Sequence, residues 1–452
     1  MTETRIQWNK AGETAGVILF AALDYLILFL IIAMTGNAWV YDTKTEITQN
    51  LMFGWLQRLV FTQAVLYAAV YRRLWISKER YIRLLIGAAA ILTFQHFNTV
   101  NRADFRTRYM ILLLWIVLWI GTHKDKTVLW KRFVNIFAVV AAASLIWYLL
   151  GPVLHVLPVT YETPRVWGTW EPPVIKNYQY LFYESHFSKI FGLKIWRNTA
   201  FFTEGPMYNM GLCTALIAEM FMEEKPKRWK LILFSVTILS TISTTGMICL
   251  AAAWFIRLAQ TNKKVGTVVK KYLPVALAIL AAVMVGLLLL KLYTTAAGKG
   301  STRIRLRHFI ACWKAFKTHK FTGCGWLNAE AVWQYTFMKK GPSIGLMYFV
   351  SSGGILLSSL ILVPVIQDIR EAFTEKKYNL IFFEGLFIML FFFTQICNTP
   401  LLWFFLAYIH TADHFGDAGE ESEESPAEEE KSPAEKEKSP AEGREHRGRK
   451  IE

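Results

Sequence analysis

The chain has 452 residues, of which 54% are hydrophobic, 15% aromatic and only 19% charged, and its mean hydropathy is +0.30. That composition excludes an ordinary soluble globule and points to a membrane protein, so bilayer spans and not soluble domains are the unit of count. The formal net charge of +16 conceals an uneven distribution. Residues 413–452 hold 14 carboxylates and 7 Lys or Arg, which leaves 43 basic against 20 acidic residues elsewhere, a surplus of 23.

Taken in chain order, apolar windows predict spans near 15–35, 51–70, 84–97, 109–121, 133–154, 206–222, 231–242, 246–256, 272–290, 344–366, 380–397 and 401–410. No small-residue cleavage pattern follows the first window, so it reads as a span and not a signal peptide. The 231–256 stretch is long enough for one tilted helix, but Ser243-Thr244-Thr245-Gly246 at its centre favours a break whose backbone is satisfied inside the protein. Asp24 and Arg58 fall within the first two spans, where a structural ion pair is the expected arrangement. Glu219 and Glu384 lie nearer the inner end and are expected to be solvated or paired.

The expected fold is therefore all-α, a polytopic membrane protein of about twelve transmembrane helices. Short basic loops, among them Arg72-Arg73-Lys78-Arg80-Arg83 and Lys225-Lys227-Arg228-Lys230, fall on one side when twelve spans are counted. The positive-inside rule places that side, and both termini, in the cytoplasm. Residues 1–410 form the membrane domain, and 411–452 form a charged cytoplasmic tail in which Ser-Pro-Ala-Glu opens three successive heptads. Proline in each repeat and the lack of large apolar residues predict disorder there and not a coiled coil.

Two outer segments, about 155–205 and 291–343, are too long to be simple connectors. The first is aromatic, with Trp167, Trp170, Tyr178, Tyr180 and Trp196 among others, and suits either an interfacial helix or a sugar-stacking surface. The second has ten Lys or Arg against Glu330 alone. Anionic headgroup contact is one reading of that excess on a translocated loop. The other is a site for a phosphate or diphosphate, for which an arginine fork is better suited than lysine. Arg303, Arg305 and Arg307 alternate, so on a helix they fan out and only some can face one ligand. Nucleic acid is a poor partner, because the basic surface is extracytoplasmic and interrupted by spans. Five cysteines show no CxxC spacing and no metal-ligand pattern, although Cys312 and Cys324 could join if both face an oxidising side.

Three blocks carry a family resemblance. They are Arg197-Asn-Thr-Ala-Phe-Phe-Thr-Glu204-Gly-Pro-Met207; Thr241-Ile-Ser243-Thr-Thr-Gly246; and Ser301-Thr-Arg303-Ile-Arg305-Leu-Arg307-His308-Phe309 followed by Phe321-Thr-Gly323-Cys-Gly325-Trp326. In order and placement they resemble the O-antigen polymerase and O-antigen ligase-like membrane glycosyltransferases, over roughly 197–360. Arg305 falls on the family arginine, while Phe309 stands where Trp is usual and Thr244 where the family often has Arg. Pro342-Ser343 occupies the place of the ligase histidine, which favours a polymerase over a ligase. A lipid-linked oligosaccharide flippase is the rival of a different class, but no internal repeat is evident among the spans.

The resemblance implies a glycosyltransferase at the outer face of a bacterial cytoplasmic membrane that joins polyprenyl-diphosphate-linked oligosaccharide repeat units. A chain-length regulator and a flippase are the protein partners such a reaction implies. It implies Arg197 and Arg305, assisted by Arg303 or Arg307, as ligands of the leaving diphosphate. Glu204, at the start of a span, and His308, beside Arg307, are the candidate proton acceptors. The expected chemistry is metal-independent and needs no cofactor, since the outer loops hold no clustered carboxylates.

Overall fold

A computed structural model describes residues 2–39, 45–71, 74–164, 174–190, 193–261, 301–336, 341–375 and 378–412. Met1–Asp413 form one compact unit separate from His414–Glu452. The predicted disordered tail, the predicted span at 272–290, and Trp167 and Trp170 lie outside the described residues.

The fold is mostly helical. Helices α1 (Thr2–Ala33), α2 (Thr45–Tyr71) and α3 (Lys78–Phe97) are followed by α4, which runs from Arg102–Asp104 through a π-helical Phe105–Met110 into Ile111–Gly121. Next come α5 (Thr127–Tyr148, continued by a π turn at Leu149–Val153), α6 (Gly205–Phe221), α7 (Arg228–Ser240) and α8 (Thr244–Thr261). The last group is α9 (Ser301–Thr318), α10 (Ala329–Trp333), α11 (Gly345–Glu375), α12 (Asn379–Phe393) and α13 (Pro400–Thr411). Among the described residues three helices are long and apolar enough to cross a bilayer: Gly16–Ala33, Thr127–Val153 and Gly345–Glu375.

Helix α13 covers the apolar window predicted at 401–410. All of its 12 residues are buried, and at 1.5 Å per residue it is about 18 Å long, well short of a bilayer core. It packs against α4. Trp403 joins Trp326, Tyr109 and Phe105 in one aromatic cluster with ring centroids 5.0–6.1 Å apart.

The all-α expectation fails in the first outer segment, which forms two small antiparallel sheets and not an interfacial helix. Strands β1 (Tyr161–Pro164), β2 (Val174–Tyr178) and β3 (Phe182–Tyr183) pair in the order β1-β2-β3, and β4 (Phe187–Ile190) pairs with β5 (Leu193–Trp196). The aromatic and β-branched residues that suggested a membrane-facing surface are equally good strand formers. Tyr178, Phe182 and Tyr183 are buried, while Tyr180 stays 57% exposed.

Helix α11 is broken at Gly354, whose φ of 58° belongs to the left-handed region. The backbone groups freed by the break are taken by the 320–325 loop. Ile355 N–H donates to Lys320 O (2.9 Å) and Leu356 N–H to Phe321 O (3.2 Å), while Cys324 and Gly325 donate to Ser351 and Ser352 carbonyls (2.9 and 3.1 Å). A Cβ on Gly323 would lie 2.3 Å from Ser352 O, so the close approach requires glycine there. This is irregular backbone made tolerable by protein partners.

Two of the polar groups expected inside the spans, Asp24 and Glu219, are paired, though not always as the sequence suggests. Asp24 does not pair with Arg58, which is exposed and lies over the Trp55 ring. Asp24 contacts Arg132 and Gln63 and accepts from Trp119 Nε1 at 2.8 Å, with His123 Nε2 at 3.0 Å. Glu219 is paired with Lys230 at 3.3 Å. Arg80 and Arg83, counted from sequence in a short basic loop, are buried and meet Asp368 at 3.2 and 2.8 Å. Glu384, expected to be solvated or paired, is instead buried beside Asp368 with no hydrogen-bond partner on either carboxyl oxygen among the described residues. All five cysteines are free thiols, Cys312 and Cys324 included.

Candidate active site

The site is built where three separated stretches meet: the strap 197–204 between β5 and α6, the break between α7 and α8, and the inward face of α9. The strap is fixed by its own polar side chains. Asn198 donates to Ser144 Oγ (3.2 Å) on α5 and Ser240 Oγ (3.1 Å) on α7, and its backbone N–H donates to Ser240 O (3.1 Å). Thr199 and Thr203 hydroxyls donate to the Tyr183 and Gly36 carbonyls (2.6 and 3.0 Å). The strap turns through Ala200, at φ 47°, and ends on Glu204, the N-cap residue of α6. Proline 206 then opens the helix with the φ it already prefers.

Arg197 is held from two directions. Its Nε donates to Thr241 O at 2.8 Å, and its guanidinium packs flat against Gly205, where a Cβ would meet Nη2 at 3.0 Å and Cζ at 3.3 Å. Asn209, one turn into α6, donates to Thr241 Oγ1 at 2.5 Å and lies so close to Gly246 that a Cβ there would be 2.6 Å from its Oδ1. The break itself is strained, because Ile242 sits at φ 51°, a conformation that costs a β-branched residue on the order of 1–3 kcal/mol.

Arg305 approaches from the other side of the break and donates from Nη1 to Thr245 Oγ1 at 3.4 Å. The two guanidinium groups therefore flank the start of α8. The first amides of that 18-residue helix have no partner within it, and its dipole adds positive potential at the same end. Burial pushes the Arg197 guanidinium below its ordinary proton affinity; Glu204 opposes that shift and Arg305 adds to it. Arg305 is likewise lowered by burial and raised by Glu204. The three charges are thus within electrostatic reach of one another, yet among the described residues neither arginine forms an ion pair with Glu204 within 4.0 Å. Both guanidiniums stay cationic, so the cluster carries a net positive charge suited to an anion.

Of the six candidate residues, four are placed together or near this cluster, one is not, and the side chain of one lies outside the described residues. Arg197, Glu204 and Arg305 come together. His308 is on the same helical face of α9 as Arg305 but turns to Ser343, whose backbone N–H donates to its Nδ1 at 3.1 Å. Nδ1 is therefore the acceptor and the proton sits on Nε2, which is buried without a partner among the described residues. Burial lowers its proton affinity below the ordinary histidine value, so His308 is a neutral imidazole with its lone pair already engaged. Arg307 points to the exposed face of α9. Arg303 is in the first turn of α9, and its side chain lies outside the described residues.

Sequence reading missed Asn209 and the two glycines. The one amide in the largely apolar 206–222 window was the available signal for Asn209, because buried polar groups in such helices have a defined partner. No protein-family model matches the chain, and no curated protein matches it.

Proposed function

We propose that the chain is a membrane glycosyltransferase that polymerises polyprenyl-diphosphate-linked oligosaccharide repeat units at the outer face of a bacterial cytoplasmic membrane, within a bundle of about twelve spans. The observation that carries this reading is the convergence of Arg197 and Arg305 at the start of α8, with Glu204, at the start of α6, next to the Gly205 on which Arg197 packs. The resemblance of those three stretches to the O-antigen polymerases supplies the reaction class.

In the proposed reaction an acceptor sugar hydroxyl attacks the anomeric carbon of the donor glycan. The bond from that carbon to the diphosphate oxygen breaks, and its electron pair leaves with the polyprenyl diphosphate. Arg197, Arg305 and the α8 amides stabilise the charge that grows on the leaving group; donors fixed in place before reaction need no reorganisation. The hydroxyl proton goes to Glu204. Of the two candidate bases, Glu204 is favoured because it shares the electrostatic surroundings of both arginines, whereas the His308 lone pair is engaged by Ser343. The tethers on Arg197 through Thr241 and Gly205 limit its motion, which is the positioning that such a bimolecular step requires.

Ligation of finished glycan to another acceptor is the nearest alternative reaction, and Pro342-Ser343 in the place of the ligase histidine weighs against it. Deleting the gene and sizing the lipid-linked and surface glycan tests the proposal. A polymerase mutant leaves single repeat units on lipid. Full-length chains lacking only their final acceptor point to a ligase, and accumulation on the cytoplasmic side points to a flippase.

A further inference from the structure

Helix α9 has two faces of different character. Arg305, His308, Cys312 and Ala315 recur at three- and four-residue intervals on the side that meets the protein. Arg307, Ile310, Lys314 and Lys317 recur in the same rhythm on the exposed side, and Phe321 continues the stripe just beyond the helix end. Trp313, beside that stripe, is 42% exposed with Lys317 Nζ 5.5 Å from its ring centre, and Phe321 is 68% exposed. No carboxylate occurs anywhere in Ser301–Thr318 to balance the cations.

The far end of this stripe is tied to the break in α11 by hydrogen bonds already described. Lys320 O and Phe321 O accept from Ile355 and Leu356 at the point where α11 resumes after its break. From there α11 presents Ile355, Leu362, Ile366, Ile369 and Phe373 along one exposed apolar stripe. Eighteen residue steps at 1.5 Å make that stripe about 27 Å long, close to the ~30 Å hydrocarbon core. An edge of the core at the Gly354 break puts the C-terminal end of α9, attached there through Lys320 and Phe321, at headgroup level.

We infer that the exposed face of α9 is a docking surface for anionic phospholipid headgroups of that leaflet. The charge is complementary, because exposed cations line a surface without acids. The exposed Ile310, Trp313 and Phe321 fit the acyl boundary beneath the headgroups, as aromatic side chains do in interfacial belts. A water-facing helix would account for the lysines but not for three large exposed apolar side chains on the same exposed side. Phe321, at the end of the α9 stripe, is hydrogen-bonded through its carbonyl to Leu356, beside the first residue of the exposed apolar stripe of α11, so one lipid surface accounts for both. The inference depends on the placement of α9 and α11 and not on the reaction proposed above.

The test uses full-length protein in phosphatidylcholine nanodiscs that contain a minor fraction of brominated phosphatidylglycerol or, separately, brominated phosphatidylcholine. Bromine quenches nearby tryptophan, and the Trp313 signal is isolated as the difference between wild type and Trp313→Phe. Quenching by the anionic lipid is expected to exceed quenching by the zwitterionic lipid on the order of fivefold. The preference should fade as salt is raised, and it should approach unity in a Lys314→Gln/Lys317→Gln/Lys320→Gln variant. Equal quenching by the two lipids, a preference insensitive to salt, or no quenching of Trp313 by either would overturn the inference. The salt titration on wild-type protein reads the same term if the triple variant fails to fold.

Discussion

Replacing Gly205 by Ala separates the position of the Arg197 guanidinium from its presence. The added Cβ would lie 3.0 Å from Arg197 Nη2 and 3.3 Å from Cζ and Nε. Ordinary contact begins near 3.4 Å, so the guanidinium must give by about 0.4 Å. It can do so only by straining the 2.8 Å hydrogen bond from Nε to Thr241 O. A misplacement of about 1 Å at a reacting centre costs on the order of a hundredfold in rate, so a shift of this size is expected to cost about five- to tenfold. Stability should change little. Alanine restricts the unfolded chain by up to ~1 kcal/mol, and crowding by Pro206 disfavours helical backbone at the preceding residue by a comparable amount. The assays are in-vitro transfer with a lipid-linked repeat unit and thermal unfolding in detergent. Wild-type transfer by Gly205→Ala, alongside loss of transfer by Arg197→Ala, would refute the claim that guanidinium position matters. A large drop in melting temperature would instead assign the effect to folding. The double variant should lose no more activity than Arg197→Ala alone, because the glycine acts through the arginine.

Arg305→Ala should leave single repeat units on lipid in gene-deleted cells carrying the variant, whereas Arg305→Lys keeps the charge without the fork and should give shortened chains, both read from the glycan ladder. Glu204→Gln should lower kcat at least a hundredfold with KM for the lipid-linked donor nearly unchanged, since loss of a proton acceptor removes a transition-state interaction. His308→Asn preserves an acceptor for the Ser343 N–H and should retain transfer; loss of transfer in a folded variant would restore His308 as the base. Burial holds the folded His308 below its unfolded proton affinity, so its stabilising contribution is full above about pH 6.5 and is lost as pH falls below that. Thermal unfolding at pH 7 and 5.5 should show that loss in wild type and a smaller one in His308→Asn. Asp368→Ala leaves Arg83, 1% exposed, without its 2.8 Å partner and should destabilise by about 3–5 kcal/mol in chemical unfolding.

What could be read from sequence follows from how local the determinants were. The break at 241–246 was legible because polar residues interrupt an apolar run, and α7 and α8 do end and begin there. Glu204 beside Gly205-Pro206 was legible as a helix start for the same reason. The partner of Asp24 was not, because Arg132 and His123 come from distant segments and Arg58 was only the nearest cation in span order. Nor were the strands of the first outer segment, since exposed and buried aromatics have the same one-dimensional signature. The burial of Arg80 and Arg83 was hidden by the positive-inside rule, which counts charges near a span without asking whether an acid such as Asp368 waits on the adjacent helix. His308 remained open until the Ser343 N–H supplied the tautomer.

The basic outer segment shows how three dimensions divide what composition adds together. Its ten Lys and Arg read in sequence as one excess with two competing explanations, a diphosphate site and headgroup contact. A helix turns 100° per residue, so Arg305 and Arg307 are 200° apart and cannot serve the same ligand. On α9 the first reaches Thr245 at the start of α8 and the second is exposed. The two explanations are therefore complementary: one arginine faces the proposed diphosphate, while Arg307, Lys314 and Lys317 face outward as the proposed anionic-lipid surface. Because both faces belong to one rigid helix, whatever holds the outward cations also sets the rotation of α9 and with it the reach of Arg305. Charge removed from the outer face should accordingly weaken transfer without touching the site, and the loss should be smaller than that of Arg305→Ala.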